Sequence, residues 1–271
     1  MTFFQALALG IIQGLTEFLP VSSSGHLVLF QNLFGLIHPE LAFDIAVHLG
    51  TLAAVLVFFR KDIIAITVAV FTWIFSSRFR QNKAGTSTEI HLAAMIAAGS
   101  VPTAIIGFGF HEIADLLFSS VLLVGFMLLA TGFWMWFTRY KKGQGRGILG
   151  IKTWHALLIG ICQGIAIIPG ISRSGATIAS AMYLGIDKPT AARFSFLLSI
   201  PAIAGAALLN FSKVQISGSA DIPVIIAGAA SAGIVGYGAL WLLVFLVEKG
   251  RLAAFAPYCW AVGLIVLAFT W

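Results

Sequence analysis

The stretch "TEFLPVSSSGHL", residues 16–27, lies within the first 59 residues, which contain no lysine or arginine and consist mostly of Leu, Ile, Val, Ala and Phe. A charged side chain in a membrane span costs about 3 kcal/mol on insertion scales. Glu17, Pro20, three consecutive serines and His26 are therefore incompatible with a plain span. Either something offsets their burial, or the segment does not simply cross.

The rest of the chain sets the solvent. Its 271 residues are 59% hydrophobic and 10% charged, against about 25% charged in soluble domains. This is the composition of an all-α polytopic membrane protein forming one integral domain, residues 1–271. The net charge of +6 does not point to nucleic acid. The basic residues sit in short loops between apolar runs, as topology signals and contacts to anionic lipid headgroups do. Cys162 and Cys259 lie in apolar segments without metal-ligand spacing and read as packing residues. A cleaved signal peptide is not expected, because the first basic residue is Arg60 and Glu17 interrupts the first apolar run.

Basic clusters follow residue 59 (Arg60, Lys61), residue 77 (Arg78, Arg80, Lys83), residue 138 (Arg139, Lys141, Lys142, Arg146, Lys152) and residue 247 (Lys249, Arg251). Basic loops mark the cytoplasmic side. With Arg60 and Arg78 on the same side, residues 63–76 do not cross, and Phe71, Trp73 and Phe75 suit an interfacial or dipping helix. Six spans remain, at 41–59, 91–110, 119–138, 190–211, 222–247 and 252–270, with both termini outside.

An offset of 150 residues aligns the two halves without a gap. Ala6/Ala156, Leu7/Leu157, Gly10/Gly160, Ile11/Ile161, Gln13/Gln163, Gly14/Gly164, Ser22/Ser172, Ser24/Ser174, Gly25/Gly175, Gly35/Gly185 and Pro39/Pro189 are identical. Shared Ala and Leu are cheap in apolar sequence. Shared Gln-Gly and Ser-x-Ser-Gly in one register are not, and they indicate an internal duplication, with repeat 1 at about 1–140 and repeat 2 at about 151–271. Three spans separate the copies, so the second enters the membrane from the opposite face. The expected fold is thus two inverted-topology repeats, each a re-entrant helix pair followed by three transmembrane helices. The arms of the pairs, 3–20 with 24–35 and 153–168 with 174–185, are too short to cross alone, since a span needs about 20 residues. Pro20, Pro169 and Gly170 break the helices at the joins, and such backbone is tolerated only in a protein-lined or wet cavity.

The two tips differ in chemistry. In "QGLTEFLPVSSSGH", Gln13 and Glu17 are four residues apart and share a helix face. Ser22, Ser23 and Ser24 are N-cap candidates for a helix beginning near Gly25, and a capped helix N-terminus is a phosphate site. Glu17 suits a base or a ligand to a divalent cation, and His26 suits proton transfer. In "IIPGISRSGAT", Ser172, Ser174, Gly175 and Thr177 repeat the polar cap, while Arg173 replaces Ser23 and offers a bidentate fork to phosphoryl oxygens. The blander readings are small residues at helix contacts and a buried Glu17–Arg173 ion pair. The clustering of carboxylate, hydroxyl, imidazole and guanidinium in the two breaks of one duplicated unit favours a phosphate or phosphoryl-transfer site. Asp44 and His48, four apart on the next span, either line the cavity or bond each other. Arg193 and Ser195 occupy the equivalent span, where Arg193 is placed to snorkel. His111, Glu112 and Asp115 fall in an outside loop. No CxxC, HExxH, Walker A or GxGxxG pattern is present.

"QGLTEFLPVSSSGH" together with "PGISRSG" resembles the undecaprenyl-pyrophosphate phosphatases of bacteria, the type linked to bacitracin resistance. "FDIAVHLGTLAAV" and "RFSFLLSIPAIAGA" resemble that family's flanking spans, so the likeness covers essentially the whole chain. The resemblance implies hydrolysis of undecaprenyl pyrophosphate to undecaprenyl phosphate and phosphate on the outer face of the bacterial inner membrane. It implies dependence on Mg2+ or Ca2+. It carries catalytic roles onto Glu17, Ser23 (candidate nucleophile), His26 and Arg173. Substrate contacts fall on Gln13, Ser22, Ser24, Gly25, Ser172, Ser174, Gly175 and Thr177. The family's (Glu/Gln)-x-x-x-Glu motif falls on Gln13 and Glu17, so the metal would rest on Glu17 with Gln13 and one carboxylate fewer. Expected partners are the polyprenyl pyrophosphate and membrane lipids, not nucleic acid. Oligomeric state is open, a homodimer included. A polyprenyl-phosphate flippase or anion transporter is the rival reading, because broken helices in inverted repeats are equally a transporter plan.

Overall fold

A computed structural model describes residues 1–36, 41–76, 87–110, 114–141, 145–211 and 221–270. Pro39, Arg78, Arg80, Lys83, His111, Glu112 and Lys142 lie outside the described residues. The described chain is helical, its only bridge being a single Arg146–Ile186 pairing. Helix α1 (Phe3–Phe18) and α2 (Ser23–Leu33) are followed by α3 (Leu41–Phe58), α4 (Arg60–Phe75), α5 (Thr88–Phe110) and α6 (Val121–Trp136). The second half runs α7 (Thr153–Ile165), α8 (Arg173–Tyr183), α9 (Lys188–Phe211), α10 (Asp221–Glu248) and α11 (Ala256–Phe269).

Among the described residues, six helical segments are long and apolar enough to cross a membrane: Leu41–Phe58, Thr88–Phe110, Val121–Tyr140, Lys188–Asn210, Ile222–Glu248 and Leu252–Phe269. They match the six expected spans to within a few residues. Helix α4 has 16 residues, none of them buried, and exposes Phe71, Trp73 and Phe75; it is not among the six. Only 22–44% of each spanning window is buried inside the protein. Phe4, Phe126, Phe133, Trp241 and Leu264 face outward, whereas Gln13, Glu17, Ser22, His26 and Ser172 are buried. In water such an exterior would drive aggregation. Against lipid it is the low-energy arrangement, and the polar groups are gathered inside where they can be satisfied.

The halves interlock. Helix α1 packs on α10 of the second half, and α7 packs on α5 of the first. The contacts are close because glycines face backbone: Gly10 lies on Gly228 and Ser231, and Gly160 lies on Gly99 and Pro102, with no room for a Cβ at either. Helices α6 and α11 also pair, through Gly125 and Gly263. Below the tips, Phe18 packs edge-on against Phe196 at 5.9 Å. These rings join a core that also holds Phe59, Met135, Ile178, Phe194 and Leu240.

Candidate active site

The α1–α2 and α7–α8 breaks meet in the interior. A Cβ on Gly25 would lie 3.2 Å from the Cα of Gly170, and one on Gly175 would lie 3.2 Å from the Cβ of Pro20. Each tip thus seats the Ser-x-Ser-Gly glycine of one half against the helix break of the other. Ser22 ties them together: its Oγ accepts from Gly25 N at 3.3 Å and from Gly170 N at 3.1 Å. Ser172 caps α8 in the same way, accepting from Gly175 N at 3.1 Å. Thr131 of α6 braces the second tip, donating to the Gly170 carbonyl at 2.9 Å and accepting from Ser172 N at 3.1 Å. Ser22 holds φ +70, the one positive φ outside glycine among the described residues. Such a conformation costs about 1–3 kcal/mol and persists where surrounding contacts over-determine it.

With Gly25 and Gly175 satisfied by the caps, the first-turn N–H groups of Ser23, Ser24, Arg173 and Ser174 have no intrahelical acceptor, as at any helix start. Both helix N-termini therefore converge on one place, with their dipoles favouring an anion there.

Glu17 is the hub of the side chains. Its Oε1 pairs with the Arg173 guanidinium. Its Oε2 accepts from Ser23 Oγ at 2.5 Å and from Gln13 Nε2 at 2.9 Å. Gln13 and Glu17 do share a face of α1, and Ser23 and Arg173 reach it from the starts of α2 and α8. Two atoms around this hub are buried and lack a hydrogen-bond partner: Arg173 Nη1, a donor, and Gln13 Oε1, an acceptor. Unsatisfied buried polar atoms are rare enough to require a reason. A guanidinium N–H suits a phosphoryl oxygen, and an amide oxygen beside a carboxylate suits a hard cation.

His26 lies apart from this hub. Its Nδ1 is 2.8 Å from the Ser22 carbonyl, which can only accept, so Nδ1 carries the proton. Its Nε2 is 2.8 Å from the Tyr258 hydroxyl of α11, and the two rings stack at 5.8 Å. Both ring nitrogens are thus engaged away from Ser23. The other hydroxyls serve the scaffold: Ser24 Oγ is 3.3 Å from Ser22 Oγ, Ser174 Oγ is 3.2 Å from Ser172 Oγ, and Thr177 Oγ1 donates to the Arg173 carbonyl at 2.9 Å.

Asp44 and His48 do not bond side chain to side chain. Asp44 accepts from Gln31 Nε2 at 2.8 Å, while His48 Nδ1 bonds the Asp44 backbone carbonyl at 2.7 Å. His48 Nε2 faces Glu17 Oε2 at 3.8 Å. Arg193 pairs with Asp62 of α4 rather than snorkelling freely. Tyr258 and Thr131 are contributors that the sequence reading did not single out. Each is a lone polar residue in an apolar span, and that is the only trace it leaves in the sequence.

Among the described residues no group of three or more His, Cys, Asp or Glu side chains converges as a metal cage. One carboxylate with a free amide oxygen still fits a divalent ion whose remaining ligands are substrate oxygens and water, the usual Mg2+ arrangement at phosphates.

The chain is similar throughout its length to known proteins. A family model described as bacitracin resistance protein BacA matches residues 6–265. The undecaprenyl-diphosphatase of Desulforapulum autotrophicum is 49% identical over 269 residues, covering 98% of this chain and 97% of the relative. That of Desulfosudis oleivorans is 50% identical over 266 residues, 97% of each chain. That of Methanosphaera stadtmanae is 39% identical over 273 residues, 98% of each chain.

Proposed function

Because the chain belongs to the bacitracin resistance protein BacA family, we propose that it hydrolyses undecaprenyl pyrophosphate to undecaprenyl phosphate and phosphate at the Glu17–Ser23–Arg173 hub. It is a multi-pass membrane enzyme that returns a lipid carrier to peptidoglycan and cell-wall synthesis, and its activity is the kind that opposes bacitracin. The observation that carries the site assignment is the Arg173 guanidinium, paired through one nitrogen with Glu17 and left with Nη1 buried and unpaired.

The halves are inverted repeats, α1–α2 and α7–α8 being re-entrant pairs that enter from opposite faces of the inner membrane. The interlocking of α1 with α10 and α7 with α5 supports this reading. The cavity between the tips opens to the exterior, with the polyprenyl tail lying in the bilayer beside the bundle.

In the reaction, the pyrophosphate takes the free Nη1 donor and the N–H groups at the starts of α2 and α8. Neutralising phosphoryl charge is the main catalytic task in such transfers. Ser23 Oγ attacks the terminal phosphorus, and its proton passes to Glu17 Oε2, 2.5 Å away. The bond to the lipid phosphate breaks, and Glu17 returns the proton to that departing phosphate. Water then attacks the phosphoserine and gives a proton to Glu17, which passes it to Ser23 Oγ as the Oγ–P bond breaks; phosphate leaves, with the Ser23 hydroxyl and the Glu17 carboxylate both restored. Glu17 and Gln13 Oε1 would hold a divalent cation, Mg2+ or Ca2+, that supplies further charge neutralisation.

Phosphate release from undecaprenyl pyrophosphate by the purified chain in detergent tests the activity, and a pure carrier would release none. Arg173→Ala is expected to abolish most turnover; unchanged turnover would overturn the site. Ser23→Ala is expected to lose the phosphoenzyme and nearly all activity. If it hydrolyses normally, water attacks directly and Ser23 is only a ligand.

A further inference from the structure

His48 shows two features that the reaction above does not use. Its Nδ1 is committed to the Asp44 carbonyl at 2.7 Å, so in the neutral ring Nε2 is the nitrogen with a free lone pair. That Nε2 points at Glu17 Oε2 from 3.8 Å, too far for a hydrogen bond. Yet it is less than twice a typical imidazole–metal bond of about 2.0–2.1 Å, so one ion can touch both atoms. At the same Glu17 oxygen, Gln13 donates through Nε2, while the amide's Oε1 is buried with no partner. A ring that donates its second N–H to a backbone carbonyl while presenting its bare nitrogen to a carboxylate is arranged as metal-binding histidines are.

We propose that His48 Nε2 is a third protein ligand to the divalent cation, alongside Glu17 Oε2 and Gln13 Oε1, and that this nitrogen changes which metal the site prefers. An all-oxygen set suits Mg2+ and Ca2+, whereas adding imidazole favours first-row transition ions. With pyrophosphate supplying the remaining oxygens, the site takes Mn2+ or its neighbours more tightly than Mg2+ or Ca2+. The alternative role for His48, a charged imidazolium beside Glu17, would repel a cation, so the two roles give opposite results with metal.

The proposal rests on the phosphatase reading of the Glu17 hub and separates from it by experiment. The full-length protein in detergent is titrated with Mn2+ in the presence of inorganic pyrophosphate and followed by electron paramagnetic resonance. The expected result is bound Mn2+ with nitrogen hyperfine coupling from imidazole, detected by electron spin-echo modulation. In His48→Gln the coupling disappears and the Mn2+ dissociation constant rises about 10–100-fold, the range for losing a metal-site interaction, while that for Mg2+ changes much less. Bound Mn2+ without nitrogen coupling in the unmutated protein overturns the proposal whether or not the variant folds. So does equal Mn2+ affinity in a folded His48→Gln protein. If the unmutated protein shows the coupling but releases no phosphate from the lipid pyrophosphate, the metal ligand stands and the phosphatase reading falls.

Discussion

The two tips are built on one plan and do different work. Both have a serine cap, Ser22 or Ser172, bonded to a glycine amide three residues on. Both present a glutamine one turn before the break, Gln13 or Gln163, buried and with its amide oxygen unpaired. Around that frame the residues diverge. Glu17, Ser23 and His26 of the first tip correspond, at the 150-residue offset, to Ile167, Arg173 and Ala176 of the second. Gln163 Nε2 consequently turns to Thr103 Oγ1 at 3.2 Å and the Leu198 carbonyl at 3.4 Å instead of a carboxylate. The unpaired amide oxygen is therefore a property of the scaffold, and only at the first tip does a carboxylate lie beside the same amide. Two similar serine-capped frames with different side chains bring one carboxylate and one guanidinium together where they meet.

Removing the charge that separates the tips should have the largest effect. Glu17→Gln keeps the shape and the hydrogen-bonding reach but deletes both the base for Ser23 and the counter-charge for Arg173. Loss of general-base catalysis alone lowers rates by about 10²–10⁴-fold, so kcat for phosphate release should fall at least that far. If the variant retained more than a tenth of normal turnover, the carboxylate would be a packing partner and the asymmetry of the tips would not be catalytic.

Arg173→Lys asks whether the second tip supplies charge or geometry. Lysine preserves the charge and gives up the planar fork that lets one side chain hold Glu17 and a phosphoryl oxygen together. A loss of about 10²-fold in kcat/KM is expected, on the scale of removing one oxyanion donor. Turnover equal to the unmutated protein would mean that any cation at this position suffices.

The six spans and the gathering of polar side chains around Glu17 are legible in the sequence, for physical reasons that also mark where legibility ends. Glu17, Pro20 and the serines stand out because each is costly in lipid, and the same cost reveals Arg173. The six spans follow from apolar length, and the caps from Ser-x-Ser-Gly. What could not be read is which neighbour each helix face meets. His48 was visible on α3, but its approach to Glu17 depends on how α3 packs against α1. Tyr258 and Thr131 lie on spans remote in sequence from the tips they support, and a lone hydroxyl residue in an apolar helix does not announce its partner. The Arg193–Asp62 pair likewise joins α9 to α4 across 131 positions of sequence, 193 less 62.

Tyr258→Phe probes the support that α11 gives to His26. The ring stack on His26 survives, and the hydroxyl bond to Nε2 is lost. A neutral hydrogen bond contributes about 0.5–1.5 kcal/mol net, so kcat should fall by no more than about tenfold, with KM nearly unchanged. A loss as deep as that of Glu17→Gln would move Tyr258 from a support for the His26 ring into the reaction itself.

The smallest effect should separate the two caps by backbone rather than by chemistry. Ser22 sits at φ +70 and Ser172 at φ −76, so glycine is welcome at the first position and merely permitted at the second. Replacing a capping serine by glycine costs only a few tenths of a kcal/mol, to which Ser22→Gly adds the lost bond from Gly170 N. Relief of the left-handed strain, about 1 kcal/mol or more, opposes both losses. Ser22→Gly should therefore leave thermal stability in detergent near its starting value, whereas Ser172→Gly, with no strain to release, should lower it. Should Ser22→Gly prove the more damaging, the bond from Gly170 N across the tips outweighs the strain at Ser22.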